Sequence, residues 1–255
     1  MVVIPVKVVY HEKYNEVYSG DPAAAPGRIK SIYDALSSNF EFVKPKPATE
    51  SDLKLAHTDS HIRQIKRNEL TYEIAILAVG GAINASELAM EFEPAFGLIR
   101  PPGHHASSNS CWGFCYFNNM AISVERLRVR NKIKKALIVD IDLHFGDGTS
   151  NIFREVPEID YFHPSGADGK DFLNDLSNYL STGKNYDIVA VSAGFDRHED
   201  DWGQMLSTED YFKVGKALKD FSDEECEGRR YGVLEGGYNH QVLGKNVKSL
   251  LDGMK

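Results

Sequence analysis

The stretch ALIVDIDLHFGDG, residues 136–148, decides the fold because it joins a buried strand to a run of chemically active side chains. Its first six residues are almost continuously apolar, which is typical of a strand in a parallel sheet covered on both faces. The residues that follow are acidic, imidazole-bearing and glycine-rich, and they predict a loop. Because ligands of parallel α/β sheets bind beyond the carboxyl ends of the strands, we expect a site directly after this strand.

Strand-like and helix-like segments alternate along the rest of the chain, which predicts an α/β fold with a mainly parallel sheet. The predicted strands are residues 2–10, 40–43, 95–99, 136–141, 159–162, 187–193 and 231–234. The predicted helices are residues 28–38, two short helices within 51–67, then 71–91, 118–129, 170–180, 207–221 and 240–251. In the long helix, Gly80 and Gly81 predict the close approach of another element. No linker or repeat interrupts the pattern, so a single domain over residues 1–255 is expected.

Composition and charge are those of a soluble globular protein, with 42% hydrophobic and 26% charged residues. The 29 Lys and Arg against 37 Asp and Glu give a net charge of −8. A nucleic-acid-binding protein usually carries an excess of basic residues, which this sequence does not have. The first residues lack the features of a signal peptide, and no run approaches the roughly 18 apolar residues of a membrane span. We therefore expect a cytoplasmic protein that binds neither nucleic acid nor membrane.

The cysteine count predicts free thiols rather than a disulfide framework. Cys111, Cys115 and Cys226 are too few for such a framework, and the odd number leaves one unpaired. Cys111 and Cys115 lie four residues apart and near histidines, so a cysteine-type zinc site has to be considered. No second cysteine pair completes it, which disfavours that interpretation.

Side chains suited to metal binding follow two of the predicted strands. Asp142 and His144 are two residues apart on an extended segment and therefore point to the same side. With Asp196 they would form a three-ligand site that leaves a position open, as catalytic zinc sites do, although iron, manganese or cobalt would also suit this set. The alternative is that Asp142 and His144 only cap a helix or bond a loop. The presence of Asp196 at an equivalent position favours the metal site.

The other strand ends supply groups suited to acid–base chemistry. His104 and His105 follow a rigid Pro-Pro-Gly turn, and tandem imidazoles beside a metal suggest proton transfer near neutral pH. Asp140 and Asp147 are the nearest partners in sequence that could orient them. Tyr238 follows Gly236-Gly237, which would let the backbone pass close to a ligand, and its hydroxyl could donate to an oxyanion. The alternative for Tyr238 is simple packing at the end of the sheet.

Taken together and in this order, the motifs RPPGHHA, GFCYFNNMAI, VDIDLHFGDGT, SAGFD and LEGGYN resemble the histone deacetylase superfamily. That superfamily includes acetylpolyamine deacetylases and acetoin-utilisation-type proteins. The resemblance runs from residue 28 to residue 238 and so covers most of the chain. It implies the arginase/deacetylase fold, a parallel sheet of about eight strands flanked by helices on both faces.

The resemblance also implies roles for individual residues. Asp142, His144 and Asp196 match the zinc ligands, and Tyr238 matches the catalytic tyrosine that binds the substrate carbonyl. The implied histidine–aspartate pairs are His104 with Asp140 and His105 with Asp147. The implied substrate-binding positions are Gly113 and Phe114 in the wall of the acyl tunnel, Gly237 beside Tyr238, and Arg28 at an internal acetate-exit cavity. A potassium ion is implied near the zinc, held by Asp140 and by the backbone of Asp142 and His144.

Three departures from the family pattern bear on the pocket. The segment of residues 163–169 is short, which would leave Phe114 without an aromatic partner and widen the pocket. Tyr161 and Phe162 stand where a serine and a hydrophobic residue are usual, which would alter the potassium site. Trp202 stands where leucine is usual, at the expected rim, where it could pack on an aliphatic chain or cap a smaller substrate.

The sequence therefore predicts a metal-dependent amidohydrolase that removes an acyl group, most simply acetyl, from an amine such as acetyl-lysine or an acetylated polyamine. Of the two histidines, His105 is our choice for the general base. A ureohydrolase with two metals is an alternative, but the segment after His144 lacks the further aspartate that its Asp-x-His-x-Asp pattern needs. A binding protein that keeps the pocket without turnover is the other alternative. The oligomeric state is not readable from the sequence.

Overall fold

Seven parallel strands form one sheet in the computed structural model, which describes residues 5–183 and 185–255. The strands are β1 (Lys7–Val9), β2 (Glu41–Val43), β3 (Ala95–Gly97), β4 (Ala136–Asp140), β5 (Ile159–Phe162), β6 (Ile188–Ala193) and β7 (Arg230–Leu234). Their spatial order is β2-β1-β3-β7-β6-β4-β5. Since every neighbouring pair is parallel, the carboxyl ends of all seven strands meet at one edge.

Nine α-helices within the described ranges connect and cover these strands. They are α1 (Arg28–Leu36), α2 (Glu50–Leu53), α3 (Asp59–Ile65), α4 (Glu69–Met90), α5 (Asn119–Val129), α6 (Asp147–Phe153), α7 (Gly169–Leu180), α8 (Thr208–Glu225) and α9 (His240–Gly253). A side-chain N-cap stands at the start of most of the longer helices. Asn68, for example, accepts a hydrogen bond from the backbone N–H of Thr71 at the start of α4, which satisfies one otherwise unpaired donor.

The predicted α/β class with a parallel sheet is confirmed, with seven strands in the described ranges against the expected eight or so. The strand predicted at residues 2–10 is shorter than expected, since β1 spans Lys7–Val9. Residues 2–4 of that prediction lie outside the described residues. Helix α6 was not predicted, because its sequence DGTSNIF is short and rich in residues that favour turns.

The core lies between the sheet and its helices, and α4 packs deepest into it. A methyl group on Gly80 would lie 1.9 Å from the carbonyl oxygen of Lys46, so the predicted close approach is present. Helix α4 has the length and hydropathy of a membrane span, but 67% of its most apolar window is buried inside the protein. That burial is typical of a core helix.

Candidate active site

Three candidate metal ligands converge where β4 and β6 end. Asp142 and His144 follow β4 and Asp196 follows β6, and the parallel pairing of these strands brings the three together. Their ligand atoms lie within 4.8 Å of one another. Nδ1 of His144 is 3.3 Å from Oδ1 of Asp142 and 3.1 Å from Oδ2 of Asp196. The structure thus places the three residues selected from the sequence at one point.

The chemistry of this cluster fits a divalent metal ion. Asp142 and Asp196 are almost completely buried, and Oδ2 of Asp196 lacks a hydrogen bond of good geometry. The backbone N–H of Leu143 donates to Oδ1 of Asp196 at 2.9 Å, and that of Gly236 donates to Oδ2 of Asp142 at 2.8 Å. These bonds fix the carboxylates, whose remaining oxygens and the imidazole of His144 would hold the ion. One nitrogen and two carboxylate ligands suit zinc and also iron or manganese.

The short distances between the side chains of this cluster shift their pKa values. The close carboxylates of Asp142 and Asp196 raise the pKa of His144 to about 10, although partial burial opposes them. Burial and the charge of Asp142 together raise the pKa of Asp196 above its usual range. A metal ion that binds here must therefore displace a proton from His144.

The first histidine–aspartate pair is sealed inside the protein. Nδ1 of His104 lies 3.1 Å from Oδ2 of Asp140, the last residue of β4, and both side chains are buried. Burial lowers the pKa of His104, but the nearby charges of Asp142 and Asp140 outweigh it and raise that pKa well above its ordinary value. This geometry favours an imidazolium at His104.

The second pair lies closer to solvent. Nδ1 of His105 is 2.7 Å from Oδ1 of Asp147, which opens helix α6 and is 38% exposed. Burial and the neighbouring His104 lower the pKa of His105, against the opposing effect of Asp147. The surroundings of the two histidines therefore shift their pKa values in opposite directions. Because Asp147 engages Nδ1 of His105, Nε2 is the nitrogen left for proton transfer.

Trp112, which the sequence analysis did not select, completes the second pair. Its indole Nε1 donates to both oxygens of Asp147, at 3.1 and 2.9 Å. Its ring covers the imidazole of His105, with the ring centroids 3.9 Å apart and the planes inclined by 31°. The side chain is 55% exposed. The sequence signal that could have identified it is the position of Trp112 directly before the Gly113-Phe114 motif.

Tyr238 lies beside the metal cluster and is anchored through its neighbours. The Nε of Arg28 donates to the carbonyl oxygen of Gly237 at 2.8 Å, and its Nη2 donates to the carbonyl oxygen of Glu235 at 2.6 Å. The guanidinium carbon lies 5.5 Å from the centre of the Tyr238 ring. Gly237 has φ of 110°, and a methyl group there would lie 2.9 Å from Cβ of Phe195. Arg28 and Gly237 thus shape the turn that carries Tyr238.

Aromatic side chains enclose a cavity of about 120 Å³ above this cluster, lined among others by His105, His144 and Tyr238. The ring of Phe114 meets the edge of Tyr238, and Trp202 stacks on its face with ring centroids 4.1 Å apart. Phe114, Trp202 and Tyr238 thus stand together around the cavity. That the short 163–169 segment widens the pocket stays a prediction. Trp202 is 50% exposed, in keeping with a place at the rim.

The path of the Gly113–Phe114 backbone is tightly constrained. Both residues have positive φ, 58° and 66°. A methyl group on Gly113 would lie 2.4 Å from Cδ2 of His105, so only glycine fits this close approach.

A family model described as "Histone deacetylase domain" matches residues 23–172 and 164–254 of the chain. The chain belongs to the histone deacetylase family. Among its relatives is a probable deacetylase of Methanothermobacter thermautotrophicus, 27% identical over 89% of this chain and 84% of that protein. Another relative is named polyamine deacetylase HDAC10, from Danio rerio, and is 28% identical over 89% of this chain and 44% of that protein. The solved HDA15 HD domain superposes with a TM-score of 0.84 at 22% identity, covering 98% of this chain and 89% of that one, which shows the fold.

The potassium ion that the family resemblance implies does not fit the residues of this deacetylase-family chain. Oδ2 of Asp140 accepts a hydrogen bond from the hydroxyl of Tyr161 at 2.8 Å, and Oδ1 accepts one from the backbone N–H of Asp142 at 3.1 Å. The carbonyl oxygen of Asp142 accepts one from Nε of Arg197 at 3.0 Å. A potassium ion needs several oxygens free for coordination, and here protein donors already engage both carboxylate oxygens of Asp140 and the carbonyl oxygen of Asp142.

The cysteines lie outside the metal cluster of this histone deacetylase family member. All three are free thiols, as expected. Cys115 does not pair with Cys111 around a metal; its buried thiol lies with His104 and Glu235, whose ligand atoms are within 4.8 Å of one another. Oε2 of Glu235 accepts hydrogen bonds from the backbone N–H groups of Gly103 and His104, and burial raises its pKa to about 7. Glu235 thus fixes the turn that presents the tandem histidines.

Proposed function

We propose that the protein is a zinc-dependent amidohydrolase that removes an acetyl or related acyl group from an amine. The observation that carries this proposal is the convergence of a three-ligand cluster, two oriented imidazoles and a phenol on one small cavity. Such a set matches the needs of amide hydrolysis, namely polarisation of the carbonyl, removal of a proton from water and protonation of the leaving amine.

The ligands Asp142, His144 and Asp196 would hold the zinc ion. When bound, zinc supplies Lewis acidity that polarises a carbonyl and lowers the pKa of water to about 7. Other divalent ions, including Fe²⁺, could supply the same chemistry to this donor set.

The protein's own groups carry the proton steps. His105 accepts the proton of the attacking water at Nε2, while Asp147 holds its Nδ1–H and stabilises the imidazolium that forms. The hydroxyl of Tyr238 donates to the carbonyl oxygen as negative charge develops on it. His104, paired with the buried Asp140, supplies positive charge beside the reacting carbon, and one of the two imidazoles returns a proton to the leaving amine.

The substrate class is an acylated amine, of the acetyl-lysine or acetylpolyamine type. One relative bears the name polyamine deacetylase, which is consistent with such a substrate. The segments around the cavity, residues 103–119, 142–150, 199–206 and 235–241, contain no Lys or Arg. They carry several carboxylates, and the nearby cationic side chains of Arg28 and Arg197 are buried and donate to backbone carbonyls. The field at the exposed entrance therefore favours a substrate with positive charge near its amide.

The test is acetate release by zinc-reconstituted protein from an acetyl-lysine peptide and an acetylpolyamine assayed side by side. The Tyr238→Phe variant should lower turnover by roughly 10²–10³-fold, as loss of an oxyanion donor does, while it retains the metal. Tyr33→Phe is a matched control, because Tyr33 packs against Tyr10 and Phe42 outside the cavity. Its turnover should stay close to that of the parent protein.

A folded, zinc-loaded protein that releases no acetate from either substrate would count against deacetylation of these amines. If no other acylamide were hydrolysed either, a pocket-retaining binding protein would be the better description.

A further inference from the structure

A buried guanidinium lies directly beneath the metal-ligand cluster. Arg197 follows the ligand Asp196 and is only 5% exposed. Its Nε donates to the carbonyl oxygen of the ligand Asp142 at 3.0 Å. Its Nη2 lies 2.8 Å from Nε2 of His163 and donates to the carbonyl oxygen of Pro164 at 3.3 Å. One side chain therefore ties together the ends of β4, β5 and β6.

The phenol of Tyr161 occupies the neighbouring position. Its hydroxyl donates to Oδ2 of Asp140 at 2.8 Å and accepts a hydrogen bond from the backbone N–H of Gly146 at the same distance. A methyl group on Gly146 would lie 2.8 Å from that hydroxyl and 2.3 Å from the Asp140 carboxylate. The space around Asp140 is therefore filled by protein atoms.

Three buried carboxylates dominate the electrostatics of this region. Asp140, Asp142 and Asp196 are all fully or almost fully buried, and buried carboxylates are costly unless positive charge or hydrogen bonds compensate them. A guanidinium stays charged under all ordinary conditions and presents several donors in a fixed plane, so it can compensate buried anions permanently.

We propose that Arg197, together with the hydroxyl of Tyr161, replaces the structural potassium ion, so that the metal site of this protein is built without any monovalent cation. Arg197 is a positioning residue, since it acts through the backbone of the ligand Asp142. This inference rests on the zinc site of the proposed function. It differs from what the family resemblance implies, namely a potassium ion beside the zinc.

The test compares the protein in KCl and in choline chloride at equal ionic strength. Two readouts need no substrate: the thermal unfolding midpoint of metal-free protein, and zinc affinity measured by competition with a chromophoric chelator. For the parent protein both should be the same in the two salts. A higher midpoint or a severalfold tighter zinc affinity in KCl would overturn the proposal.

Arg197→Ala should weaken zinc binding in choline chloride by about 10–100-fold, the usual effect of losing a group that orients metal ligands. Potassium should recover part of this loss, because the truncated side chain frees the carbonyl oxygen of Asp142. In case Arg197→Ala fails to fold, Arg197→Lys keeps the charge but loses the planar donors, and it should weaken zinc binding to a smaller degree. Unchanged zinc affinity in a folded Arg197 variant would overturn the positioning role.

Arg230→Lys is the matched control. Arg230 is also a buried arginine whose Nε donates to a backbone carbonyl, that of Met254, but it lies at the start of β7, at the opposite edge of the sheet. Its replacement should lower the unfolding midpoint without changing zinc affinity. Because neither readout involves turnover, absence of deacetylase activity would refute the proposed function and leave this inference standing.

Discussion

Replacing Trp112 by Phe removes one N–H group and leaves an aromatic ring over His105. The lost donor reaches both oxygens of Asp147, the carboxylate that fixes Nδ1 of His105. Without it the carboxylate, which is 38% exposed, can turn toward solvent and release the imidazole from its catalytic orientation. The substitution should therefore reduce the rate of the chemical step more than it weakens substrate binding.

The magnitude follows from the environment of this hydrogen bond. A hydrogen bond to a charged group contributes about 1.5–3 kcal/mol, and partial exposure of Asp147 reduces this to about 1 kcal/mol. That corresponds to a roughly fivefold lower kcat with KM nearly unchanged.

A spectroscopic readout separates this role from simple packing. The chain has two tryptophans, so an amide–indole correlation spectrum contains two indole N–H signals. The Trp202→Phe variant assigns them, and the remaining Trp112 signal should be shifted downfield and slow to exchange with solvent. Asp147→Asn should move that signal. A Trp112 signal that exchanges freely, or a Trp112→Phe variant with unchanged kcat and a raised KM, would refute the reasoning.

Two further predictions concern the metal cluster. Because Asp142 and Asp196 raise the pKa of His144 to about 10, the apparent zinc affinity should rise by about tenfold per pH unit between pH 6.5 and 8.5. Chelator competition corrected for the chelator's own titration measures this slope, and a flat profile contradicts it. Gly236→Ala should abolish zinc binding, since the added methyl would lie 2.5 Å from Oδ2 of Asp142 and 2.9 Å from Oδ2 of Asp196. Gly20→Ala, where nothing lies within 4 Å of the added methyl, is the control and should bind zinc normally.

The sequence predicts most of the sheet because its strands are apolar and are bounded by turn residues. The same pattern places Asp142, His144 and Asp196 at adjacent strand ends, because the carboxyl ends of parallel strands all lie at the same edge of the sheet. The position of these three residues therefore follows from the strand pattern and the sheet topology alone. Their proximity can be predicted without knowing how the side chains pack.

The residues that sequence reasoning missed depend on details of packing. Trp112 reaches Asp147 from a loop in which the following Gly113 and Phe114 adopt positive φ, and a sequence pattern does not reveal such a conformation for phenylalanine. Arg197 was passed over because it follows a recognised motif, and nothing in the sequence states which carbonyl a buried guanidinium will bond. The proposed replacement of the potassium ion rests on the same kind of packing detail, which the sequence does not reveal.

The metal cluster and the cavity entrance differ in how well they tolerate amino-acid substitutions. The ligands follow strand ends where backbone atoms and glycines leave no free volume, whereas Trp112 and Trp202 project from connecting segments and are about half exposed. Under the proposed function, substitution of Trp202 should therefore alter which acylated amines enter, whereas Trp112 also holds the Asp147–His105 pair and is not free to change. Trp202 is thus the position at which the proposed substrate range can be changed while the metal ligands keep their surroundings.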